Sequence, residues 1–265
     1  MKTLTTLLAL SFFSLTAIAE NGANVSLTRL DCGTAPAEAR EVGRFSDTYA
    51  YPDLKVNFTY SCYLIKHNDQ YMVWDAGQPD NGSATAPKKN LQVLLNEVGL
   101  KPENISYLGI SHYHNDHTGQ AALLPKSTLL IGKGDWDAIS SGAANAEPFQ
   151  AWIAGGGKVE SLSSDKDVFG DGSVVVLTMP GHTPGHSSLL VRLNDMGNVL
   201  ISGDLAHFHE NYNNNGVPSF NTNRADTLAS LDRFKQIAKN LNAKVIIQHD
   251  ARDINKLPAF PTAAN

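Results

Sequence analysis

The feature that most constrains this chain is a run of six residues, 112 to 117, with the pattern H-x-H-x-D-H. It contains three imidazoles and one carboxylate, although the whole sequence holds only nine histidines. Histidine nitrogens and carboxylate oxygens are typical zinc ligands in proteins. A chance match is expected in roughly one chain in a thousand or fewer, so the run predicts a metal site. The alternative is a polar surface loop between a strand and a helix.

The segments on either side place this run at the end of a strand. Residues 105–110 form a short apolar segment typical of a buried strand, and residues 118–124 indicate the start of a helix. Ligand sites of α/β folds lie at the carboxyl ends of their strands. His112 and His114 point to the same side of an extended loop because side chains alternate. We predict that this pair holds one metal and that the following Asp/His pair holds a second.

Further candidate ligands follow three later segments that have the composition of strands. They are His182 after residues 174–178, Asp204 after residues 198–202, and His249 after residues 244–247. Taken alone, each of them is adequately explained as a turn or capping residue. Their repeated position at strand ends predicts instead that they complete the metal site.

With these residues in place, the chain resembles the metallo-β-lactamase superfamily. The likeness rests on H-x-H-x-D-H, on G-H-T-P-G-H at residues 181–186, on Gly203-Asp204 and on the late histidine, with residues 72–77 similar to the first motif of the superfamily. It extends from about residue 25 to residue 250 and is greatest to the N-acyl-homoserine lactonase branch. The resemblance implies an α/β fold, a four-layer αββα sandwich, formed by one domain over residues 20–265. It also implies that a hydroxide bridging two zinc ions opens a lactone ring.

The resemblance gives each candidate residue a role. It implies two Zn²⁺ per chain, with other divalent metals left open. The first zinc would be bound by His112, His114 and His182, the second by Asp116, His117 and His249, and Asp204 would bridge them. Asp116 would also carry a proton to the leaving alkoxide. Asp75 and His186 would orient the ligands rather than bind metal.

The chain departs from the lactonase pattern three residues after the bridging aspartate. Some lactonases carry a tyrosine there, whereas this chain has His207. An imidazole can donate the same kind of hydrogen bond, so we predict a catalytic role, with a polar loop residue as the alternative. The segment from residue 207 to 223 would bind substrate, with Phe208, Tyr212 and Phe220 near an acyl chain, or form a surface loop.

Several other hydrolases share this set of metal ligands. A secreted dizinc phosphotriesterase, or another lactone or ester hydrolase, is the main alternative because two metals also suit attack on phosphorus. A β-lactamase usually lacks an aspartate at position 204. A thioesterase of the glyoxalase II type carries a helical C-terminal domain, whereas 16 residues follow His249 here. A metal-dependent binding protein with a degenerate site is disfavoured because every expected ligand is present.

Composition limits the partners. The net charge of −5 and the lack of a basic stripe argue against nucleic acid, and no apolar run after the first twenty residues is long enough to cross a bilayer. The expected partner is therefore a small acyl-lactone, and a homodimer is left open. The two cysteines, Cys32 and Cys62, form either one disulfide or two buried thiols.

The first 19 residues have the features of a secretory signal peptide. Lys2 is followed by an apolar segment over residues 4–15 and by an A-x-A site at residues 17–19. The alternative is a buried first helix. We expect cleavage before Glu20 and export to the periplasm or the medium. Intact-mass measurement of the exported protein should give a chain that starts at Glu20, and a mature protein that retains residues 1–19 would contradict the expectation.

Overall fold

The computed structural model describes residues 23–265, so the predicted signal peptide lies outside the described residues. The strands are β1 Val25–Asp31, β2 Arg40–Glu41, β3 Lys55–Val56, β4 Ser61–His67, β5 Gln70–Trp74, β6 Ile105–Ile110, β7 Thr128–Gly132, β8 Val159–Leu162, β9 Lys166–Asp167, β10 Val174–Thr178, β11 Ser187–Leu193, β12 Gly197–Ile201 and β13 Lys244–Ile246. The α-helices are α1 Leu91–Glu97, α2 Asn115–Thr118, α3 Lys133–Ser140, α4 Gln150–Ile153, α5 His209–Asn214 and α6 Arg224–Asn240.

Two sheets carry most of these strands. The first has six strands in the order β1-β4-β5-β6-β7-β8, antiparallel from β1 to β5 and parallel from β5 to β8. The second has five strands in the order β13-β12-β11-β10-β9, in which only β12 and β13 pair in parallel. The short strands β2 and β3 form a separate antiparallel pair.

The sheets face each other across a central apolar core. Ile65 and Trp74 of the first sheet share this core with Val176, Leu189 and Ile201 of the second. Side chains alternate along each strand, so the neighbouring positions of β4 and β11 point away from the core toward the helices. Burial on both faces explains why these strands are almost continuously hydrophobic.

Helices cover the outer face of each sheet. On the first sheet, α1, α3 and α4 pack through Leu94, Leu95, Ile139 and Trp152. On the second sheet, α6 packs through Leu231 and Phe234 against Leu177, Leu190 and Leu200. The predicted αββα sandwich is thereby confirmed.

The helix predicted over residues 118–124 is wrong. The helical turn begins earlier, as α2, and a short 3₁₀ turn over Ala121–Leu123 follows it. The Gly119 amide donates to the Gly77 carbonyl at 2.8 Å, and the Gln120 amide donates to the Ala76 carbonyl at 3.1 Å. These amides tie the motif loop to the loop after β5, so they cannot continue an α-helix.

Cys32 and Cys62 form a disulfide, with their Cα atoms 5.7 Å apart. This result decides between the two states that the sequence left open. The bridge joins the residue after β1 to the second residue of β4.

Among residues 23–265, no helix has the length and hydrophobicity that a membrane crossing needs.

Candidate metal centre

The carboxyl ends of four strands bring the predicted ligands together. His112 and His114 follow β6, His182 follows β10, Asp204 follows β12 and His249 follows β13. Because β12 and β13 are parallel neighbours, with Ile201 opposite Ile246, their last residues end side by side. The layered fold thus converts residues that are distant in sequence into one cluster, as predicted.

The first group of ligands surrounds one oxygen of Asp204. His112 Nε2 lies 2.9 Å from His114 Nδ1, and His182 Nε2 lies 3.2 Å and 3.0 Å from these two atoms. Asp204 Oδ2 lies 3.5 Å from His112 Nε2 and 3.3 Å from His182 Nε2. Four potential donor atoms therefore converge on one point.

The second group surrounds the other oxygen of the same carboxylate. His117 Nε2 and His249 Nε2 are 3.1 Å apart, and they lie 3.1 Å and 3.0 Å from Asp204 Oδ1. Asp116 Oδ2 lies 3.5 Å from His249 Nε2. Asp204 is thus shared between two groups, in the position that the sequence assigned to a bridging ligand.

These groups fit metal ions better than they fit hydrogen bonds. Ligands at about 2.0–2.1 Å from a tetrahedral zinc are roughly 3.3 Å apart, which is the spacing of the donor atoms here. Asp204 Oδ1 is buried, and although His117 Nε2 and His249 Nε2 lie close to it, neither contact has the geometry of a hydrogen bond. A cation between the groups would satisfy that oxygen, since a buried unpaired carboxylate oxygen is costly.

The buried carboxylates of the cluster also need positive charge nearby to compensate them. Burial alone would raise the pKa of Asp204, but the imidazoles of His207 and His249 hold it well below its usual range. Burial alone would lower the pKa of His117, but the carboxylates of Asp204 and Asp75 raise it well above its usual range. Without metal, protons on imidazoles compensate the buried carboxylate, and a bound cation would take over that compensation.

Two imidazoles of the first group, His112 and His114, have lowered pKa values and are therefore neutral. Burial, followed by the neighbouring His117, keeps the pKa of His112 well below its usual range. Burial and the neighbouring His182 lower the pKa of His114 to about 4. Neutral imidazoles are the form that binds metals, so these rings are ready to ligate at neutral pH.

Most ligand rings are oriented by a second hydrogen bond. The Nδ1 atoms of four rings contact an oxygen at 2.8 to 3.0 Å, namely His112 to Ser111 Oγ, His117 to Asp75 Oδ2, His182 to Asn221 Oδ1 and His249 to the Thr59 carbonyl. These contacts fix each ring and direct its Nε2 toward the cluster.

Asp75 is buried and holds several of these groups at once. Its carboxylate accepts from the Ser111 amide at 2.7 Å, from Ser111 Oγ at 2.9 Å and from Gln248 Nε2 at 2.7 Å, besides contacting His117. Its backbone has a φ of 60°, a conformation that aspartate tolerates better than most residues. The structure places Asp75 as the sequence predicted, behind the ligands.

His186 positions Asp204 from behind. The Asp204 amide donates to His186 Nε2 at 2.9 Å, and His186 Nδ1 donates to the Met179 carbonyl at 2.9 Å. Burial lowers the pKa of His186 to about 3, so the ring remains a neutral acceptor. Gly203 has a φ of 57°, and a Cβ there would lie 2.7 Å from His186 Nε2, so glycine is needed for this approach.

Asp135 is a supporting residue that the sequence did not reveal. It lies in the first turn of α3 and is fully buried. Its carboxylate accepts from the Tyr113 amide at 3.0 Å, from Thr183 Oγ1 at 2.8 Å and from the Gly185 amide at 2.6 Å. Asp135 therefore fastens the H-x-H-x-D-H loop to the G-H-T-P-G-H loop. An acidic residue soon after a buried strand was its only signal.

A cavity of about 320 Å³ opens onto the cluster. Asp116, Asp204, His207 and His249 line its inner end. His207 Nε2 lies 3.0 Å from Asp204 Oδ2, so the position that departs from the lactonase pattern is within the site. Burial lowers the pKa of His207 to about 4.

The outer walls of the cavity differ in part from the prediction. Phe220 lines the cavity, but Phe208 is fully buried behind the wall, where it packs against Phe45 and Tyr51, and Tyr212 packs against Phe234 of α6. The missing wall comes from Arg40, Arg44, Phe45, Phe58 and Tyr60. Residues 40–58 show no regular strand or helix pattern in the sequence, so their place in the cavity wall could not be predicted.

The chain belongs to the metallo-beta-lactamase superfamily, whose sequence profile matches residues 57–249. This match covers every candidate metal ligand. The likeness noticed in the sequence motifs is thereby confirmed.

Two curated N-acyl homoserine lactonases and one solved structure are similar to this chain over more than half of its length. An N-acyl homoserine lactonase AttM of Azorhizobium caulinodans is 29% identical over 168 residues, which is 58% of this chain and 61% of that protein. The AttM of Rhizobium johnstonii is 26% identical over 259 residues, covering 86% and 94% of the two chains. A solved structure of a quorum-quenching N-acyl homoserine lactone lactonase superposes with a TM-score of 0.75 at 22% identity, over 90% of this chain and 97% of that one.

Asp75→Ala should weaken metal binding because it removes the partner of His117. Loss of such a supporting group typically costs 10- to 100-fold in metal affinity. We expect a decrease of that size at the second group and a smaller one at the first, measured by competition with a chelating dye. Asp69→Ala, at an exposed hairpin position, is the control. Equal affinities for wild type and Asp75→Ala, with both proteins folded, would refute this role.

Proposed function

We propose that this chain is a dizinc hydrolase that opens the lactone ring of N-acyl homoserine lactones. The observation that carries the proposal is the buried Asp204 carboxylate, each of whose oxygens faces a separate group of imidazoles. The lactonase relatives, one of them aligned over 94% of its length, support the choice of substrate.

Zinc is the metal that the ligand set favours. Five imidazoles and two carboxylates provide nitrogen-rich coordination in two groups, which suits zinc better than magnesium or calcium. When bound, two zinc ions would supply a hydroxide nucleophile at neutral pH and polarise the lactone carbonyl. His112, His114 and His182 would hold one ion, Asp116, His117 and His249 the other, and Asp204 would bridge them.

Asp116 is proposed to move the proton. It is partly exposed and lines the cavity, whereas most of the other ligands are buried. Its carboxylate can take a proton at the cluster and deliver it to the alkoxide that leaves when the ring opens. The product is the acyl-homoserine, a carboxylic acid.

His207 is proposed to bind the substrate carbonyl in place of a tyrosine. It lines the cavity, and its Nε2 lies 3.0 Å from Asp204 Oδ2 at the edge of the cluster, so the Nε2–H of the neutral ring could donate to the substrate carbonyl once metal ions hold Asp204. Phe45 and Phe220 pack edge-on against its ring, with centroids 4.7 Å and 5.8 Å away, and fix its direction. The same two rings and Phe58 give the acyl chain an apolar wall.

We also propose that the protein acts after export. The signal sequence predicts secretion, and the Cys32–Cys62 disulfide is typical of oxidising compartments such as the periplasm.

A side-by-side assay tests the reaction. The zinc-loaded protein should hydrolyse acyl-homoserine lactones with a higher kcat/KM than an aryl phosphotriester, a cephalosporin or a thioester. Metal analysis of the same sample should give close to two equivalents per chain. Faster turnover of the phosphotriester would overturn the lactonase proposal, and one tightly bound equivalent would overturn the bridged centre.

His207→Ala should lower kcat for lactones by roughly ten- to a hundredfold, because one hydrogen bond to the reacting carbonyl is lost. His207→Tyr should recover most of that rate, since a phenol donates the same bond. His67→Ala is the matched control, because His67 pairs with Asp171 and does not line the cavity. Unchanged turnover in His207→Ala would show that the ring is only a packing residue.

A further inference from the structure

Two arginines stand out at the opening of the cavity. Arg40 and Arg44 are both exposed and both line it, so they lie where the cavity meets solvent. Within residues 23–265, neither has a carboxylate within 4 Å, although the chain carries a net charge of −5. Other exposed arginines, such as Arg224, Arg233 and Arg252, pair with acidic side chains.

The contacts of these arginines leave their hydrogen-bond donors free. The Arg44 guanidinium lies over the Phe220 ring, 4.7 Å from its centroid, and the Arg40 guanidinium lies over Phe58 at 5.3 Å. These contacts use the flat faces of the guanidinium groups. Arg40 Nη1 also donates to Tyr60 Oη at 3.2 Å. Most of the five N–H donors on each group therefore remain available at the cavity edge.

The rings beneath the arginines are the apolar walls of the same cavity. A chain that fills the space between Phe45, Phe58 and Phe220 would lie beside the two guanidinium groups, which stack on Phe58 and Phe220 and line the same cavity. A plain alkyl end would strip water from these cations without replacing its hydrogen bonds, which is unfavourable. A carboxylate would pair with them through short, charge-assisted hydrogen bonds.

We propose that Arg40 and Arg44 bind a carboxylate at the outer end of the acyl chain. This inference rests on the proposed lactonase function and specifies its substrate class as lactones with an ω-carboxyacyl group. The metal cluster would act on the ring at the inner end, while the arginine pair holds the outer end and sets specificity.

The test compares matched substrates. N-hexanoyl-homoserine lactone, its analogue with a terminal carboxylate and the methyl ester of that analogue are assayed with wild type, Arg40→Gln, Arg44→Gln and the double variant. The double variant should raise KM for the carboxylate about tenfold more than it raises KM for the hexanoyl lactone or the methyl ester, with little change in kcat. Added salt should raise KM for the carboxylate in wild type, because the pair is exposed. Arg192→Gln, exposed and outside the cavity lining, is the matched control.

The outcomes separate this inference from the proposed function. If wild type opens the hexanoyl lactone but shows no arginine-dependent preference for the carboxylate, the inference alone fails. Equal losses for all three substrates would mean that the arginines only support the wall, which also overturns it. If no lactone is opened, the proposed function fails, and calorimetric binding of the carboxylate lactone still tests the pair. Binding that is equal in wild type and the double variant would then refute the inference.

Discussion

The rest of the structure depends on burying one carboxylate, Asp204, among imidazoles. A buried ion is expensive unless positive charge surrounds it, and the surrounding charge must come from protons or from metal. The fold supplies the imidazoles from both sheets, so neither sheet could hold the carboxylate alone. His186 fixes its backbone from one side, and the two ligand groups contact its oxygens from the other. The site therefore forms only because the two sheets pack against each other in this arrangement.

A layer of hydrogen bonds behind the candidate ligands holds the loops of the two sheets in fixed relative positions. Asp75, which follows β5, joins the loop after β6 to Gln248, which lies after β13. Asp135 joins the loops after β6 and β10. Both carboxylates accept from backbone amides, so they hold main chain as well as side chains. Loops that would otherwise be mobile become part of the scaffold, which is what a two-metal centre needs in order to keep its ligands preorganised.

The sequence was enough to predict which residues cluster, because their spacing is a local property. H-x-H-x-D-H and the polar residues at strand ends are visible without any knowledge of tertiary contacts, and short apolar runs identified the strands that carry them. Asp135 and the wall from Arg40 to Tyr60 were missed because their roles arise from contacts between residues about 20 to 190 positions apart in the chain. The same cause explains Phe208 and Tyr212, whose aromatic character was recognised while their packing partners, Tyr51 and Phe234, could not be. The helix expected after residue 118 failed because the amides of Gly119 and Gln120 bond to a distant loop.

The position of the disulfide indicates how much of the chain the candidate metal centre requires. Cys32 donates its amide to the Tyr60 carbonyl, and the neighbouring Thr59 carbonyl contacts His249. The residue after β1 is thus coupled to His249, the last candidate ligand, through two contacts made by the neighbouring carbonyls of Tyr60 and Thr59. A fragment cut to the residues that the family profile covers would keep every ligand, yet it would lose this brace and one side of the cavity. The residues that precede the family profile therefore contribute to the candidate metal centre and its cavity, although the profile does not include them.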